Sequence, residues 1–334
     1  MARAQRNIIG EGRYRTIAVA VTLASALLGL GVAQAQTYPV RPIRMVVPWP
    51  PGGSNDVAAR ILAPHLSRSL GQQLVVDNRA GAGGTMGADI VAKAAADGYT
   101  IMLHSSTHVV NATLRRKLPY DTVKDFTLLA LVASQPTMMV VHPSLPVNSV
   151  QDLIALAKAQ PGRIRYGSGG NGSTLHMAGA LFAKMAGINM LHVPYKGGSP
   201  AVMALLGGEV QLAMATVPTA IAHVKAGKLR ALAVCSGQRS RLLPDLPTVA
   251  EAGVPGYEMN AWIAIFAPAG VPKSVIARLE NEIQSAQKLP EVQNSFSAQG
   301  MELVFGKGSQ LASFVETERR KFAAIIEESG ARIE

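Results

Sequence analysis

The sequence predicts an α/β protein of two lobes, each a mainly parallel sheet flanked by helices. Short apolar runs alternate with longer helical stretches from residue 43 onward, which is typical of βαβ units around a buried sheet. The alternation restarts after Pro136, and further elements remain once the second set is complete. We therefore expect the chain to build most of one domain, cross to a second, and return.

The first set of elements is bounded by glycines and short polar turns. Its predicted strands are Ile43–Val47, Leu74–Val76 and Thr100–Leu103, and its predicted helices are Asp56–Leu70 and Gly83–Ala96. Gly71 ends the first of these helices, and Asp97-Gly98 ends the second. This set forms the first part of domain 1, residues 36–136.

The second set runs from residue 137 to 261 and forms domain 2. Its predicted strands are Met138–Val141, Ile164–Tyr166 and Leu191–Val193, and its predicted helices are Val150–Lys158 and Ser173–Met185. The series continues with Pro200–Leu206, Val210–Ala215, a helix near Thr219–Lys225, and Leu229–Val234. The remaining strand Ile263–Ala267 and helices Lys273–Lys288 and Ser309–Glu328 return to domain 1, as residues 262–334. Two such lobes enclose a cleft, where small ligands commonly bind.

The N-terminus has the three parts of a secretory signal peptide, residues 1–35. Four arginines between positions 3 and 15 precede an uncharged apolar run, Ile17–Val32, and Ala33 and Ala35 complete an A-x-A cleavage site before Gln36. The apolar run is shorter than the ~20 residues of a membrane span, although an uncleaved anchor is the alternative. We expect a mature protein in the periplasm.

Composition excludes some classes of function. The chain has 32 basic and 21 acidic residues, but only 5% of residues are aromatic. The densest basic cluster, 115–117, is short, so we expect a solvated basic surface and no nucleic-acid partner. The single cysteine, Cys235, allows no intramolecular disulfide and lies in an apolar run, so we expect it to be a buried strand residue.

Three glycine-rich segments, residues 47–56, 78–85 and 166–174, each lie between a predicted strand and a helix. Glycine lets the main chain approach a ligand, and the helix start behind it supplies unpaired N–H groups that favour an anion. The alternative is that these are tight turns with helix caps at Ser54 and Ser173. Three such segments in one chain favour a binding site.

Catalytic and cofactor motifs are missing or incomplete. The third segment contains G-x-G-x-x-G, but the acidic residue expected ~20 positions later in a dinucleotide site is missing. Neither G-x-S-x-G nor H-E-x-x-H occurs, and the seven histidines lack metal-ligand spacing. We therefore expect no catalytic residue, cofactor or metal. The alternative is an exported hydrolase that uses Ser168 or Ser173 as nucleophile and His176 or His108 as base.

The chain resembles the Bug-type extracytoplasmic solute receptors, the binding-protein component of tripartite tricarboxylate transporters, over essentially its whole mature length. The matching blocks are residues 38–39, 42–43, 50–53, 56, 59–60, 78–84, 97–100, 166–168, 172–173, 176, 193–197, 225–234, 246–248 and 266–270. The combination of these blocks is specific to the family, whereas a single block is not.

This resemblance implies a type II periplasmic binding protein, or Venus-flytrap, fold. It also implies a monomer that binds an amino acid, a di- or tricarboxylate or an aromatic carboxylate and delivers it to membrane transporter subunits, unless the protein is a sensor. Main-chain groups and water would hold the carboxylate. The implied contact positions are Trp49, Pro50, Gly53, Asp56, Gly84, Ser105, Ser106, Ser168, Asn171, Ser173, Tyr195 and Thr216. Trp49 replaces a frequent Phe. Gln211 and Thr216 lie in a stretch that often carries Asp, which argues against an amino-acid ligand.

Overall fold

The computed structural model describes residues 38–115, 117–241, 243–306 and 308–329. Those from Arg41 onward belong to one compact unit. The expected signal peptide, residues 1–35, and its cleavage point before Gln36 lie outside the described residues. Within the described ranges, no helix is both long and apolar enough to cross a membrane.

Strands and helices alternate along the chain as the apolar pattern predicts. The strands are β1 Ile43–Val47, β2 Leu74–Asn78, β3 Thr100–Ser105, β4 Phe126–Gln135, β5 Thr137–Val141, β6 Arg165–Ser168, β7 Leu191–Pro194, β8 Leu212–Thr216, β9 Arg230–Val234, β10 Ala261–Pro268 and β11 Glu302–Leu303. The α-helices are α1 Ser54–Leu70, α2 Thr85–Ala92, α3 Thr107–Leu114, α4 Val150–Ala159, α5 Thr174–Met185, α6 Gly198–Leu206, α7 Val217–Lys225, α8 Lys273–Lys288, α9 Pro290–Ala298 and α10 Gly308–Ser329. A short 3-10 turn, Ala82–Gly84, precedes α2.

The described strands form two sheets with the same arrangement. The first has the order β11-β4-β10-β3-β1-β2, and the second has the order β7-β6-β8-β5-β9. In the first sheet β1 to β4 run in one direction and β10 and β11 in the other. In the second, β6 to β9 share a direction that β5 opposes. Both sheets are therefore mainly parallel, and the two-lobed α/β fold is confirmed.

Each sheet has one antiparallel strand inserted between two of its parallel strands, β10 in the first and β5 in the second. This strand is the first that the chain forms after it crosses between the sheets. The first crossing lies at Pro136, between β4 and β5, and the second lies between β9 and β10. Strand β10 lies between β3 and β4 in the first sheet, and β5 lies between β8 and β9 in the second. Counted along the chain, these neighbours are the third and fourth parallel strands of each sheet. The division into 36–136 with 262–334 and 137–261 agrees with these crossings and stays a proposal.

Some elements differ from the sequence prediction. The ten-residue strand β4 and helices α3 and α9 were not predicted. The β4 sequence is rich in Leu and Ala, which favour helices, so its apolar run does not distinguish a strand from a helix. Helix α9 begins at Pro290, immediately after α8, and proline is well accepted at a helix start.

Each lobe has its own buried core. In the first lobe, Val46, Met102 and Phe266 pack beside the sheet. In the second lobe, a large cluster contains Phe182 and Tyr257, and the opposite face of the sheet carries another cluster. Cys235 directly follows β9 and is fully buried as expected, and burial raises the pKa of its thiol to about 11.

The C-terminal helix α10 contacts both cores. Phe314 packs on the core of the first lobe, and Phe322 and Ile325 belong to the core of the second. The carboxylate of Glu318 accepts a hydrogen bond of 2.9 Å from the indole N–H of Trp262 in β10. Helix α10, which the proposed division assigns to domain 1, thus contributes to the cores of both lobes.

Candidate functional site

A pocket lies between the lobes, and we refer to it as the cleft pocket. Its lining residues follow the carboxyl ends of β1 and β3 in the first sheet and of β6, β7 and β8 in the second. Gln135 and Ala261, one beside each crossing between sheets, complete the lining. This is the edge where α/β proteins commonly place their ligands.

Five helices begin at the cleft pocket. Residues of their first turns line it: Ser54 and Asn55 of α1, Thr107 of α3, Thr174 and Leu175 of α5, Gly198 and Ser199 of α6, and Thr219 of α7. First-turn N–H groups have no partner within their own helix, and each helix start carries partial positive charge. None of the described residues that line this pocket has a charged side chain. The arrangement suits an anion that is held by neutral donors.

The first glycine-rich segment is organised by a buried carboxylate. Asp56 is 3% exposed and accepts hydrogen bonds from Gly52 N at 2.9 Å, Asn78 Nδ2 at 3.0 Å and Arg60 Nε at 2.9 Å. Burial raises the pKa of Asp56, but these hydrogen bonds outweigh burial and hold the pKa below its ordinary value. Asp56 therefore shapes the turn before α1 and does not line the cleft pocket. The cap of α1 is Gly53, not Ser54.

The third glycine-rich segment rests on a pair of histidines. The rings of His176 and His192 stack with centroids 4.0 Å apart. His192 Nε2 lies 2.6 Å from Ser168 Oγ, and His176 Nδ1 accepts a hydrogen bond from Gly172 N at 3.3 Å. Burial lowers the pKa of His192 to about 3 and the pKa of His176 to about 4, so both rings are neutral near pH 7. They support the segment from behind.

Neither expected nucleophile meets its expected base. Ser168 is fully buried and contacts His192, whereas Ser173 caps α5 by accepting a hydrogen bond from His176 N at 3.1 Å. His108 lies 3.1 Å from the carbonyl oxygen of Thr122, and burial lowers its pKa to about 4. A base needs a pKa close to the working pH, so these pairs are poorly suited to catalysis.

A third histidine, His104, lies behind the second glycine-rich segment. Its Nδ1 accepts a hydrogen bond of 2.8 Å from Ser105 N, and its ring meets that of Trp49 edge-on at 5.8 Å. Gly84, with φ of +88°, leaves room for this ring, because an added Cβ would lie 2.7 Å from His104 Cε1. His104 and His108 are fully or almost fully buried, and neither lines the cleft pocket.

The structure brings half of the twelve expected contact residues to the cleft pocket. Those that line it are Trp49, Pro50, Gly53, Ser105, Ser173 and Thr216. Asn171 and Tyr195 line a neighbouring pocket, and Asp56, Gly84, Ser106 and Ser168 line neither. The last four are buried in or behind the loops. Their expected direct contact with a ligand finds no support in this geometry, and the role of the other eight stays a prediction.

The neighbouring pocket, which we call the cationic pocket, contains Arg115 and Lys196 and shares Trp49 and Gly169 with the cleft pocket. Arg115 Nη2 donates to Ala82 O at 3.0 Å in the first lobe and to Asn171 O at 3.2 Å in the second. The sequence predicts a solvated basic surface around residues 115–117. Arg115 is instead half-buried and joins the two lobes beside the cleft.

Further hydrogen bonds join the lobes. The Thr174 hydroxyl lies 2.9 Å from that of Ser106 and 3.1 Å from that of Thr107, and Ser199 Oγ donates to Gly52 O at 3.0 Å. Among the described residues, no cluster of three or more His, Cys, Asp or Glu side chains is arranged to hold a metal ion.

Sequence reasoning missed several pocket residues: Asn55, Thr107, Gln135, Thr174, Ser199 and Thr219. Asn55 and Ser199 follow glycine-rich turns at helix starts, a signal that could have identified them. Gln135 gives no local signal, because it is the last residue of a strand that was not predicted.

Comparison with known proteins agrees with this architecture. Residues 58–331 match the family model TctC, described as "Tripartite tricarboxylate transporter family receptor". Protein BugT of Bordetella pertussis is 40% identical over 317 residues, which cover 94% of this chain and 97% of BugT. A protein found in the tcbD-tcbE intergenic region of a Pseudomonas species is 39% identical over 318 residues, 95% of this chain and 94% of that protein.

Solved structures also resemble this chain, among them a periplasmic binding protein. The R. palustris protein Rpa4515, solved with adipate, superposes with a TM-score of 0.86 at 36% identity and covers 89% of this chain and 100% of its own. The periplasmic binding protein BugD gives a TM-score of 0.85 at 32% identity, with the same two coverages. MatC of Rhodopseudomonas palustris, with bound malate, gives 0.83 at 29% identity over 86% of this chain and 100% of its own. The fold, the cleft and the matched residues together show that this chain belongs to the tripartite tricarboxylate transporter receptor family, as a Bug-type member.

Proposed function

We propose that this protein is a periplasmic receptor that encloses a small carboxylate between its lobes and delivers it to the membrane subunits of a tripartite tricarboxylate-type transporter. One observation carries the proposal: five helix starts meet at a pocket whose described lining residues have no charged side chain. Such a pocket can hold an anion and still release it, because no buried ion pair has to be broken.

The same observation restricts the ligand. An amino acid would bring an ammonium group into a pocket where no described lining residue supplies a carboxylate to balance it. Adipate and malate, the molecules bound in two relatives, are carboxylates without an ammonium group. A di- or tricarboxylate or an aromatic carboxylate therefore fits this pocket better than an amino acid.

Binding of matched probes tests the proposal. The protein is unfolded, dialysed free of ligand and refolded, and its melting temperature is measured with adipate, malate, citrate and benzoate. Adipamide, which replaces both carboxylates of adipate with neutral amides, is the control. We expect at least one acid to raise the melting temperature, because a ligand that binds only the folded state stabilises it. Failure of all the acids, with released small molecules in mass spectra that are not carboxylates, would overturn the proposal.

We also propose that the ligand is released unchanged. Ser168 is the one expected nucleophile that touches a histidine ring, but it is fully buried, and burial lowers the pKa of its partner His192 to about 3. A bound acid should therefore be recovered intact after long incubation with stoichiometric protein. Conversion that disappears in Ser168→Ala or Ser173→Ala would support the hydrolase alternative instead.

The proposed location and assembly have their own tests. N-terminal sequencing of protein from the cell envelope should begin at Gln36, and gel filtration should show a monomer. Retention of the apolar segment in a membrane fraction would instead support an uncleaved anchor.

A further inference from the structure

The cationic pocket carries two positive side chains and no negative one among its described lining residues. Arg115 and Lys196 line it together with residues 81–83 and 169–171 of the second and third glycine-rich segments. Within the described parts of the chain, neither cation forms an ion pair with a carboxylate, whereas Arg44 and Arg60 each do. The positive charge of this pocket is therefore not balanced by a neighbouring acidic side chain.

The hydrogen bonds of Arg115 do not balance its charge either. Its Nε donates to Asn111 Oδ1 at 3.1 Å, and its Nη2 donates to Ala82 O at 3.0 Å and Asn171 O at 3.2 Å. All three acceptors are neutral. Burial lowers the pKa of the guanidinium, which means that its surroundings disfavour the charge that an arginine keeps at pH 7. An anion in the pocket would offset this cost.

A second half-buried arginine lies in a different electrostatic setting. Arg230 donates to the carbonyl oxygens of Leu145 at 3.4 Å and Val147 at 2.8 Å, all within the second lobe. The pocket that Arg230 lines also contains Asp245, so an acidic side chain lies beside that cation. The cationic pocket has no such acid among its described lining residues, so an anion that balances it has to come from outside the chain.

The cationic pocket adjoins the cleft pocket at Trp49 and Gly169, which line both. The cleft pocket offers five helix starts and no charged side chain among its described lining residues, whereas the cationic pocket offers a guanidinium and an exposed ammonium. A ligand that places one carboxylate in the cleft pocket and extends past Trp49 therefore reaches a second site for an anion, of different chemistry.

We propose that the cationic pocket binds a second carboxylate of the ligand, at the far end of its carbon chain, and that Arg115 and Lys196 select dicarboxylates over monocarboxylates. This inference rests on the proposed function and makes its substrate class more specific. Hydrogen bonds between a cationic donor and a carboxylate are shorter and stronger than those between neutral groups, so the second carboxylate adds affinity that a neutral end group does not.

Calorimetric titration of length-matched acids tests the selection. The pairs are glutarate with glutaramate, adipate with adipamate, pimelate with pimelamate, and suberate with suberamate. In each, the second acid replaces one carboxylate with a carboxamide of nearly the same shape, so the pair differs mainly in one charge. We expect the diacid of at least one pair to bind roughly 10- to 100-fold tighter, the equivalent of one hydrogen bond between charged groups.

Two variants then assign the selection to the named side chains. Arg115→Gln and Lys196→Gln should each bring the ratio of the best pair closer to one, mainly by weakening the diacid. Arg115→Gln also loses a contact between the lobes, but that loss weakens both acids of a pair alike and leaves their ratio unchanged. Arg230→Gln is the matched control, since it removes a half-buried guanidinium outside both pockets and should not change the ratio.

Equal affinities within every pair, in a protein that does bind carboxylates, would overturn this inference and leave the proposed function intact. Slower association in the two pocket variants, with equal affinities in every pair, would show that the cations only attract anions to the cleft, which also overturns it. A ratio that survives when both side chains are changed together would do the same. If no carboxylate binds at all, the proposed function fails and the inference fails with it.

Discussion

The main-chain model of the cleft pocket makes a sharp prediction at Gly169. A Cβ added there would lie 3.5 Å from Gly198 N, at the start of α6, and 3.5 Å from Ser173 Cβ and Oγ. These are ordinary van der Waals distances, and Gly169 is not among the glycines with positive φ. Gly169→Ala should therefore fold as stably as the wild type.

Ligand affinity should nevertheless fall. The new methyl group would lie 3.5 Å from Gly198 N, so it should compete for space with a ligand oxygen that accepts a hydrogen bond from that N–H. Losing one hydrogen bond to a charged group costs about 1.5–3 kcal/mol, which corresponds to a roughly 10- to 100-fold weaker Kd. Isothermal titration with the tightest carboxylate, beside thermal unfolding of the free protein, measures both quantities.

Gly71→Ala is the matched control. Gly71 has φ of +69° at the end of α1, and nothing lies within 4 Å of its added Cβ. Because α1 has 17 residues, this end is about 25 Å from the cleft pocket. The left-handed backbone should cost Gly71→Ala about 1 kcal/mol of unfolding free energy, while Kd stays unchanged.

Gly169→Ala should thus weaken ligand binding without a loss of stability, whereas Gly71→Ala should lower stability without a loss of binding. Wild-type affinity in Gly169→Ala would refute the role of the Gly198 amide. A melting temperature in Gly169→Ala as low as that of Gly71→Ala would contradict the expectation that the new methyl group is accommodated at its van der Waals distances.

Three further predictions concern the aromatic wall, the contact between lobes and pH. Trp49→Phe keeps an aromatic side chain, although a smaller one, and removes the indole N–H. A ligand that accepts from this N–H should bind about 10-fold more weakly in a titration; unchanged affinity would show that the N–H faces away from the ligand. Arg115→Met removes the hydrogen bond to Asn171 O of the second lobe, so stopped-flow measurement should show a faster ligand off-rate, and an unchanged rate would contradict this role. Because burial holds the pKa of His176 at about 4 and of His192 at about 3, the unfolded chain takes up protons first as the pH falls. Urea denaturation should show the unfolding free energy decreasing from pH 6.5 to about 4, less steeply in His192→Gln, and stability that rises on acidification would contradict this sign.

Apolar patterning and glycine punctuation predicted most of the fold. Residues 43–47 and 273–288 form the predicted strand and helix with the same bounds, because each has a clear period and clear ends. Strand β4 was missed because its leucines and alanines suit a helix equally well. Short-range patterns also do not show which strand is inserted antiparallel in a sheet, since that depends on where the chain crosses.

The site was predicted in its loops but not in its assembly. Gly53, Ser105 and Ser173 lie at strand ends or helix starts that the sequence marks, and all three line the cleft pocket. Gln135 and Arg115 were missed because their positions depend on how one lobe meets the other. Contacts between lobes join residues far apart in sequence, so the local periodicity of apolar residues does not predict them.

The placement of β10 and α10 has a consequence for how the chain is made. Strand β10 lies inside the first sheet, and Phe322 and Ile325 of α10 belong to the core of the second lobe. Domains generally fold in turn as the ribosome releases them, N-terminal domain first. Here both cores stay incomplete until α10 has been synthesised. For a protein that we propose to be exported, we expect this delay to keep the nascent chain unfolded, and therefore able to pass through a narrow channel, until α10 has emerged.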